Sequence, residues 1–144
     1  MEDPAAFQLL NEVGIIAQLS RTRAERLMGP ELNLAQFAVL NHFHRLGGEH
    51  SLVRLAGAMQ VTKGAMTNTI TRLHAKGWVS VRPDPQDGRG KLAAITEAGR
   101  DVRQRALALL AGDLKGLAEA TEGEDLAALL AGLRRIRVWL DTNR

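Results

Sequence analysis

Residues 51–91 hold most of the side chains in this sequence whose types and spacing could do chemistry. The stretch TKGAMTNTITR, residues 62–72, supplies Asn and Arg, which can pair with the edges of adenine and guanine, and Thr and Lys, which suit phosphates. Residues 51–91 carry seven Lys and Arg against two Asp, a net charge of +5, whereas residues 1–50 carry four against six and residues 92–144 carry eight against eight. This clustering predicts a polyanionic partner such as double-stranded DNA.

The elements expected to position these side chains are two short helices joined by a turn. Ser51 can cap a helix that runs to about Ala58, and Thr62 can cap a second helix that ends at Lys76-Gly77. Apolar residues predict how the two helices pack: Leu52, Leu55, Ala56 and Met59 in the first, and Val61, Ile70 and Leu73 as anchors of the second. The residues then left nearer the surface, where they could contact DNA, are Thr62, Lys63, Ala65, Met66, Thr67, Asn68, Thr71 and Arg72. A merely solvated helix face would show the same pattern.

Two segments rich in Val, Ile and Trp follow, and they predict a two-stranded β-hairpin with a long loop. The strands are expected at Trp78–Arg82 and Lys91–Ile95, with Pro and Gly residues between them. Arg89 lies between two glycines of the loop and could approach a narrow minor groove, where negative potential attracts arginine. Asp87 is in reach to orient the guanidinium group, and Lys91 adds a second cation. The alternative is that Asp-Gly serves only as turn chemistry and that Arg89 is free in solvent.

Helical patterns on both sides of this segment predict a mainly α fold with a small β-hairpin wing, in the order ααααββαα. The residues expected to begin the flanking helices are Asp3-Pro4, Asn33 with Gln36, Thr96, and Thr121 with Glu124. We predict a single domain over residues 1–144. Within it, residues 32–96 would form a winged helix-turn-helix lobe for DNA binding, and residues 4–28 and 97–141 a helical dimerisation lobe.

The terminal helices are too apolar to be mostly exposed in a monomer of this size, which favours a two-fold dimer. The residues expected at its interface are Phe7, Leu10, Leu133, Ile136, Trp139 and Leu140. Packing of these helices within one chain is the alternative.

The composition excludes several classes of function. The chain has no cysteine, which rules out disulfides, thiolate metal sites and cysteine-based redox sensing. It opens with two acids rather than a basic signal-peptide region, and no apolar run reaches bilayer-spanning length, so we expect a cytoplasmic protein with no membrane partner. No Ser/His/Asp or paired-carboxylate constellation and no P-loop spacing is evident, so we expect neither an enzyme nor a cofactor. The spacing of the histidines predicts no metal site.

The region from Leu34 to Gly99 resembles the winged helix-turn-helix of MarR-type transcriptional regulators. The motifs that carry the resemblance are LAQFAVL (34–40), Leu55-Ala56, Thr62 with Lys63-Gly64-Ala65, LHAKGWV (73–79), DPQDGR (84–89) and ITEAG (95–99). The resemblance implies that the helix from Thr62 reads the major groove, that Arg89 is the minor-groove residue of the wing, and that Asp87 positions it. The chain departs from the pattern at Ser80-Val81, where a second basic residue is often found, and at Gly90.

Members of that family often respond to small aromatic or phenolic acids bound between the dimer helices and the DNA lobe. The resemblance therefore implies an effector of this kind. Arg21, His42 and His44 could pair with its carboxylate, although His42 and His44 point to different helix faces. Each of the three could instead be a solvated or a core side chain.

These observations together predict a homodimeric DNA-binding regulator, a repressor of a palindromic operator that a small molecule relieves. Two alternatives remain open on the sequence. One is a winged-helix protein-interaction module whose basic face binds an acidic protein. The other is an architectural DNA binder with no ligand response.

Overall fold

The computed structural model describes residues 2–144, which form six helices and three strands. In chain order these are α1 (Ala5–Leu27), α2 (Leu34–Leu46), β1 (His50–Ser51), α3 (Leu52–Met59), α4 (Lys63–Ala75), β2 (Val79–Pro83), β3 (Lys91–Ile95), α5 (Glu97–Ala120) and α6 (Leu126–Thr142). The predicted class, mainly α with a small β-hairpin wing, is confirmed. The predicted order lacked one element, the strand β1.

The three strands form one antiparallel sheet in the order β1-β3-β2. β2 pairs with β3 along its whole length, and β1 pairs with β3 at His50↔Ala93 and Ser51↔Leu92. The predicted β-hairpin is confirmed, and β1 adds to it a third strand that was not predicted, on the far side of β3. A strand of two residues is too short to show an alternating pattern in the sequence.

Residues up to Leu110 form one compact unit with its own hydrophobic core, and Ala111–Arg144 form a second compact unit. The largest fully buried side chains of the first unit are Val39, Leu40, Phe43, Leu55, Ile70, Leu73, Val79 and Val102. They come from α2, α3, α4, β2 and the beginning of α5. The helix-turn-helix and the wing therefore share one core, which holds them in a defined relation to each other.

Three of the predicted helix starts are confirmed by hydrogen bonds. At α2, the Gln36 N–H donates to Asn33 Oδ1 at 2.9 Å and the Asn33 N–H donates to Gln36 Oε1 at 3.2 Å, which completes a capping box. The hydroxyls of Ser51 and Thr62 each accept a backbone N–H of the first turn that follows, both at 3.1 Å. These bonds satisfy donors that have no partner inside a helix, so α2, α3 and α4 begin where the sequence predicts.

Two other predicted helix caps are wrong. Asp3 does not cap α1, which begins after Pro4 without a side-chain cap. The residue that caps α6 is Asp125, whose carboxylate accepts a first-turn N–H at 2.9 Å. Thr121, the predicted cap, donates its hydroxyl to the carbonyl of Leu117 at 2.8 Å, close after the end of α5. The Thr and Glu spacing of a capping box is present there, but the threonine bonds back to the helix that ends.

α5 begins in close contact with the start of the wing. The Thr96 N–H donates to the Trp78 carbonyl at 3.1 Å, and the Thr96 hydroxyl donates to the Gly77 carbonyl at 2.6 Å. The Thr96 hydroxyl also accepts the N–H of Gly99 at 3.1 Å, so Thr96 begins α5 as predicted. A Cβ atom on Gly99 would overlap the carbonyl oxygen of Trp78. The Thr-x-x-Gly spacing therefore reflects a close backbone approach that only glycine allows.

Candidate nucleic-acid interface

α3 braces α4 through side chains that both helices bury in the same core. Leu55 and Ala56 of α3 and Ile70 and Leu73 of α4 are buried members of that core, as predicted. Val61 was predicted to be a further anchor, and this is wrong because its side chain is 44% exposed. It lies in the turn before α4 begins, so the helical spacing that suggested its burial does not apply.

Seven of the eight α4 residues predicted to face DNA are exposed: Thr62, Lys63, Ala65, Thr67, Asn68, Thr71 and Arg72. The exception is Met66, which is only 2% exposed, so its predicted place at the DNA surface is wrong. Met66 lies four residues before Ile70 and therefore shares its helix face with a core residue. Asn68 lies two residues after Met66, about 200° further round the helix, and so faces away from the core.

Two of the threonines predicted to contact DNA use their hydroxyl protons inside α4. The hydroxyls of Thr67 and Thr71 donate to the carbonyls of Lys63 and Thr67, each at 2.8 Å. Because a phosphate oxygen needs a donor, these hydroxyls are poorly suited to the phosphate role that the sequence suggested for them. They retain an oxygen lone pair and a methyl group, which can meet a base amino group and a thymine methyl.

The wing loop, residues 84–90, is closed by main-chain bonds and by its two carboxylates. The Asp84 N–H donates to the Gly90 carbonyl at 3.0 Å, and the Gly90 N–H donates to the Asp87 carbonyl at 2.9 Å. Asp84 Oδ1 accepts the N–H of Gln86 at 2.9 Å, and Asp87 Oδ1 accepts the N–H of Arg89 at 3.1 Å. Asp87 was expected to orient the guanidinium group of Arg89, and in this structure it binds the main chain of that residue instead. The Arg89 side chain is exposed at the tip of the loop.

The basic segment divides into cations that already have partners and cations that do not. Arg82 forks onto Glu49, with Nε to Oε2 and Nη2 to Oε1 both at 2.7 Å. Lys76 Nζ donates to the Glu31 carbonyl at 2.8 Å and lies 4.5 Å from the centre of the Trp78 ring. Within the basic segment, residues 51–91, five cations have side chains with no hydrogen bond or ion pair to any residue in 2–144. They are Arg54, Lys63, Arg72, Arg89 and Lys91.

Arg54 is a candidate that the sequence reasoning missed. It belongs to the basic segment but was not among the predicted site residues, which lie in α4 and the wing. Its side chain is exposed in the first turn of α3. In helix-turn-helix proteins the first helix crosses the DNA backbone, so an exposed cation there is a signal for phosphate binding.

Two exposed ion pairs border this surface, and each shifts a carboxyl pKa. A side-chain hydrogen bond from Arg82 lowers the pKa of Glu49. A side-chain hydrogen bond from Arg105, at 2.9 Å, likewise lowers the pKa of Glu31. Both glutamates are therefore ionised at neutral pH, and both pairs carry no net charge.

An open cavity of about 560 Å³ lies beside α4, lined by residues of α1, α2, α3 and α4. Its lining includes Arg21, Phe37, Met59, Met66 and Thr69. Of the three residues predicted to bind an effector, only Arg21 lines the cavity. His42 is buried, with its ring centre 5.5 Å from that of His50, and His44 is exposed. The two histidines lie on different faces of α2, as their spacing predicts, and neither of them lines the cavity.

α1 and α6 each expose apolar side chains along their length. None of the residues in Ala5–Leu27 or in Leu126–Thr142 is buried. Of the predicted dimer residues, Phe7, Leu10, Leu133, Trp139 and Leu140 are exposed and Ile136 is half-buried. Exposed apolar surface of this extent is typical of an interface with another molecule.

Residues 2–144 contain no group of three or more His, Asp or Glu side chains that could hold a metal ion. None of the helices in this part of the chain combines the length and the apolar content that crossing a bilayer requires.

The comparison with known proteins agrees with this geometry. Residues 32–91 match the model of the MarR family. The Multiple antibiotic resistance protein MarR of Escherichia coli (strain K12) is 28% identical over 137 residues, covering 89% of this chain and 94% of that protein. The protein of the same name from Salmonella typhimurium is 30% identical over 102 residues, covering 65% and 70%.

A solved structure extends the likeness to a DNA complex. A mutant MarR from E. coli complexed with operator DNA superposes with a TM-score of 0.66 at 28% identity, covering 90% of this chain and 93% of that one. This chain belongs to the MarR family, whose members are winged-helix, DNA-binding transcriptional regulators.

Proposed function

We propose that this protein is a homodimeric repressor that binds a palindromic operator and leaves it when a small molecule binds. The observation that carries the proposal is that α3, α4, the wing loop and the start of β3 display five cations with no partner in residues 2–144, all from one basic segment. Counterion release on neutralising phosphates supplies much of the affinity of such a surface for DNA. A protein of this kind acts where the chromosome is, so we assign it to the cytoplasm.

The contacts divide by chemistry into those that read bases and those that bind the backbone. Asn68, at the centre of the exposed face of α4, is assigned to a base edge in the major groove, and Arg72 flanks it. Lys63 and Arg54 are assigned to phosphates. Arg89 is assigned to the minor groove beside the α4 contact, and Lys91, at the base of the wing loop, to the adjacent backbone.

Dimerisation supplies the second half of the operator contact. One α4 contacts too few bases for specificity, so a two-fold dimer that places two copies about one helical turn apart is needed. We assign DNA binding to residues 32–96 and dimerisation to residues 4–28 and 97–141, within a single domain of residues 1–144. The exposed apolar faces of α1 and α6 support this assignment, because a second copy of the chain would cover them.

The cavity beside α4 is the proposed effector site. Its volume of about 560 Å³ lies within the range for small-molecule sites, and its lining is mostly apolar with Arg21 as a cation. A small aromatic acid would place its ring against Phe37 and Met59 and its carboxylate on Arg21. Met66 and Thr69 of α4 also line the cavity, so an occupant touches the reading helix. A ligand that binds better to the form in which α4 is displaced would release the operator.

Selection of bound duplexes from a random pool with the purified protein tests the proposed function. The expected result is a palindromic consensus with half-sites about one helical turn apart, which then shifts in a mobility assay in preference to random duplex. Equal binding to selected and random duplexes would indicate an architectural DNA binder. Binding to neither, even at low salt, would indicate a protein-interaction module.

Replacing Asn68 with alanine is expected to reduce sequence preference more than total DNA binding. A base contact of this type contributes roughly 1–3 kcal/mol of discrimination, so the ratio of operator to random-duplex affinity should fall about tenfold or more. The measurement is titration of both duplexes at one salt concentration. Lys63→Ala is the matched comparison, because loss of a phosphate contact lowers affinity for both duplexes alike. An equal loss on both duplexes for Asn68→Ala would place this residue at the backbone.

Arg21→Ala is expected to weaken binding of hydroxybenzoic acids about tenfold while operator affinity stays within twofold. The reason is that the variant removes the charge-assisted bond to the carboxylate but leaves the DNA surface intact. Calorimetric titration with a panel of benzoic and hydroxybenzoic acids measures the effect. Arg26→Ala, an exposed cation of α1 outside the cavity lining, is the control. Equal acid affinity in both variants would contradict the role of Arg21.

A further inference from the structure

We propose that Glu49 is a positioning residue for DNA binding: through its fork with Arg82 it holds the wing in the orientation that delivers Arg89. The inference rests on the proposed function, since it assigns a role within the same DNA contact. Glu49 is an acidic residue on a basic surface, so electrostatics alone predicts that it weakens DNA binding, whereas a positioning role predicts that it strengthens binding.

The main chain attaches the wing to the helix-turn-helix in two places: at the start of β2, where the Trp78 N–H donates to the Leu73 carbonyl at 3.0 Å, and at β1. β1, the strand that leads directly into α3, contributes only the pairs His50↔Ala93 and Ser51↔Leu92 to the sheet. β2 lies on the other side of β3 and has no strand beyond it. Its main-chain link to β1 therefore passes entirely through β3.

The two parallel hydrogen bonds between Arg82 and Glu49, here called the fork, join β2 to the residue before β1 through side chains. Arg82 is paired with Leu92 in the β2–β3 register, and Leu92 is also paired with Ser51. Residues directly opposite in a sheet, and residues two apart along a strand, point to the same face, which brings the Arg82 side chain and Glu49 together. The fork thus spans the central strand and ties β2 to the residue before β1. The opposite face of the sheet carries the buried Ala93 and His50.

The fork lies at the base of the wing loop. The residue after Arg82 is Pro83, which forms the last β2–β3 pair with Lys91, and residues 84–90 follow as the loop that carries Arg89. A small change in the tilt of β2 relative to β1 is therefore amplified at the loop tip. Two parallel bonds of 2.7 Å define the relative orientation of both groups, which a single bond would not.

The exposure of the pair separates a positioning role from a stability role. The side chains of Arg82 and Glu49 are 53% and 40% exposed, and exposed ion pairs contribute little to global stability. The hydrogen bond from Arg82 lowers the pKa of Glu49, so the fork persists at neutral pH. Removing it should leave the fold and its melting temperature unchanged while the wing gains freedom of orientation.

The test is operator affinity of Glu49→Gln, measured by fluorescence anisotropy at fixed salt on the selected palindrome. The variant raises the net charge of the basic surface by one, so simple electrostatics predicts tighter binding. We expect roughly tenfold weaker binding by the dimer, since an exposed pair can bias each wing by up to about fivefold. Arg82→Lys, which keeps the cation but loses the fork, should weaken binding comparably. The control is Glu31→Gln, which removes the same charge from the Glu31–Arg105 pair away from the sheet and should not weaken binding.

A double-mutant cycle measures whether the effects of the Glu49 and Arg89 substitutions on operator affinity are coupled, which a merely structural role of Glu49 would not predict. If Glu49 acts through Arg89, then Glu49→Gln should have no further effect in an Arg89→Ala background. Equal or tighter operator binding by Glu49→Gln would overturn the proposal, as would a loss of the same size in both backgrounds. Failure of the wild-type protein to bind any duplex would instead overturn the proposed function, and the positioning role with it.

Discussion

Arg89→Ala is expected to weaken operator binding by roughly 100-fold while the melting temperature and the dimer stay unchanged. The side chain is exposed at the wing tip, and its guanidinium group has no ion pair within residues 2–144, so it contributes little to folding. The alanine variant would lose the charge-assisted contacts that Arg89 makes in the minor groove. A loss of about 1.5 kcal/mol at each of the two wings of a dimer corresponds to the expected 100-fold weaker binding. Anisotropy titration on the selected palindrome measures the affinity, and thermal unfolding measures the stability.

The control for Arg89→Ala is Arg100→Ala, which removes an exposed cation of α5 outside the basic segment. Its expected effect on operator affinity is less than twofold, because it changes net charge by the same amount without touching the proposed surface. A loss of less than twofold for Arg89→Ala as well would reject the wing assignment. A large loss for both variants would point to net charge alone.

Gly99→Ala is expected to destabilise the protein by about 2–3 kcal/mol, a large fraction of the stability of a small domain. The added Cβ would overlap the Trp78 carbonyl, which also accepts the N–H of Thr96, so relief requires α5 to move away from the start of the wing. The atom in the way is backbone and cannot rotate aside as a side chain would. Denaturant unfolding of the variant and of the wild type at the same protein concentration measures the difference.

A second glycine of α5 offers the matched control. No atom lies within 4 Å of a Cβ built on Gly112, which has ordinary helical surroundings. Gly112→Ala should therefore stabilise α5 by roughly 0.5–1 kcal/mol, because alanine is the better helix former. Equal effects of the two substitutions would show that helix propensity, and not the Trp78 carbonyl, decides the outcome at Gly99.

The sequence predicted the class of partner because the signals for it are local. The capping residues Asn33, Ser51 and Thr62 each act within four residues, so their patterns located the starts of α2, α3 and α4. The charge of residues 51–91 is likewise a property of one continuous segment, and most of the motifs that carry the MarR resemblance lie inside it. Where the local signal was ambiguous, as for Thr121, the prediction of a helix start was wrong.

The sequence by itself determined the helices, the hairpin and the basic surface, because capping, periodicity and net charge depend on neighbours along the chain. Only the tertiary structure decided that β1 joins the sheet and that residues of α1, α2 and α3 form a cavity beside α4. It also brought Glu49 and Arg82 together across 33 residues. The physical reason is that these features depend on contacts between segments distant in the sequence, which form when the chain packs around its core and which no local sequence pattern encodes.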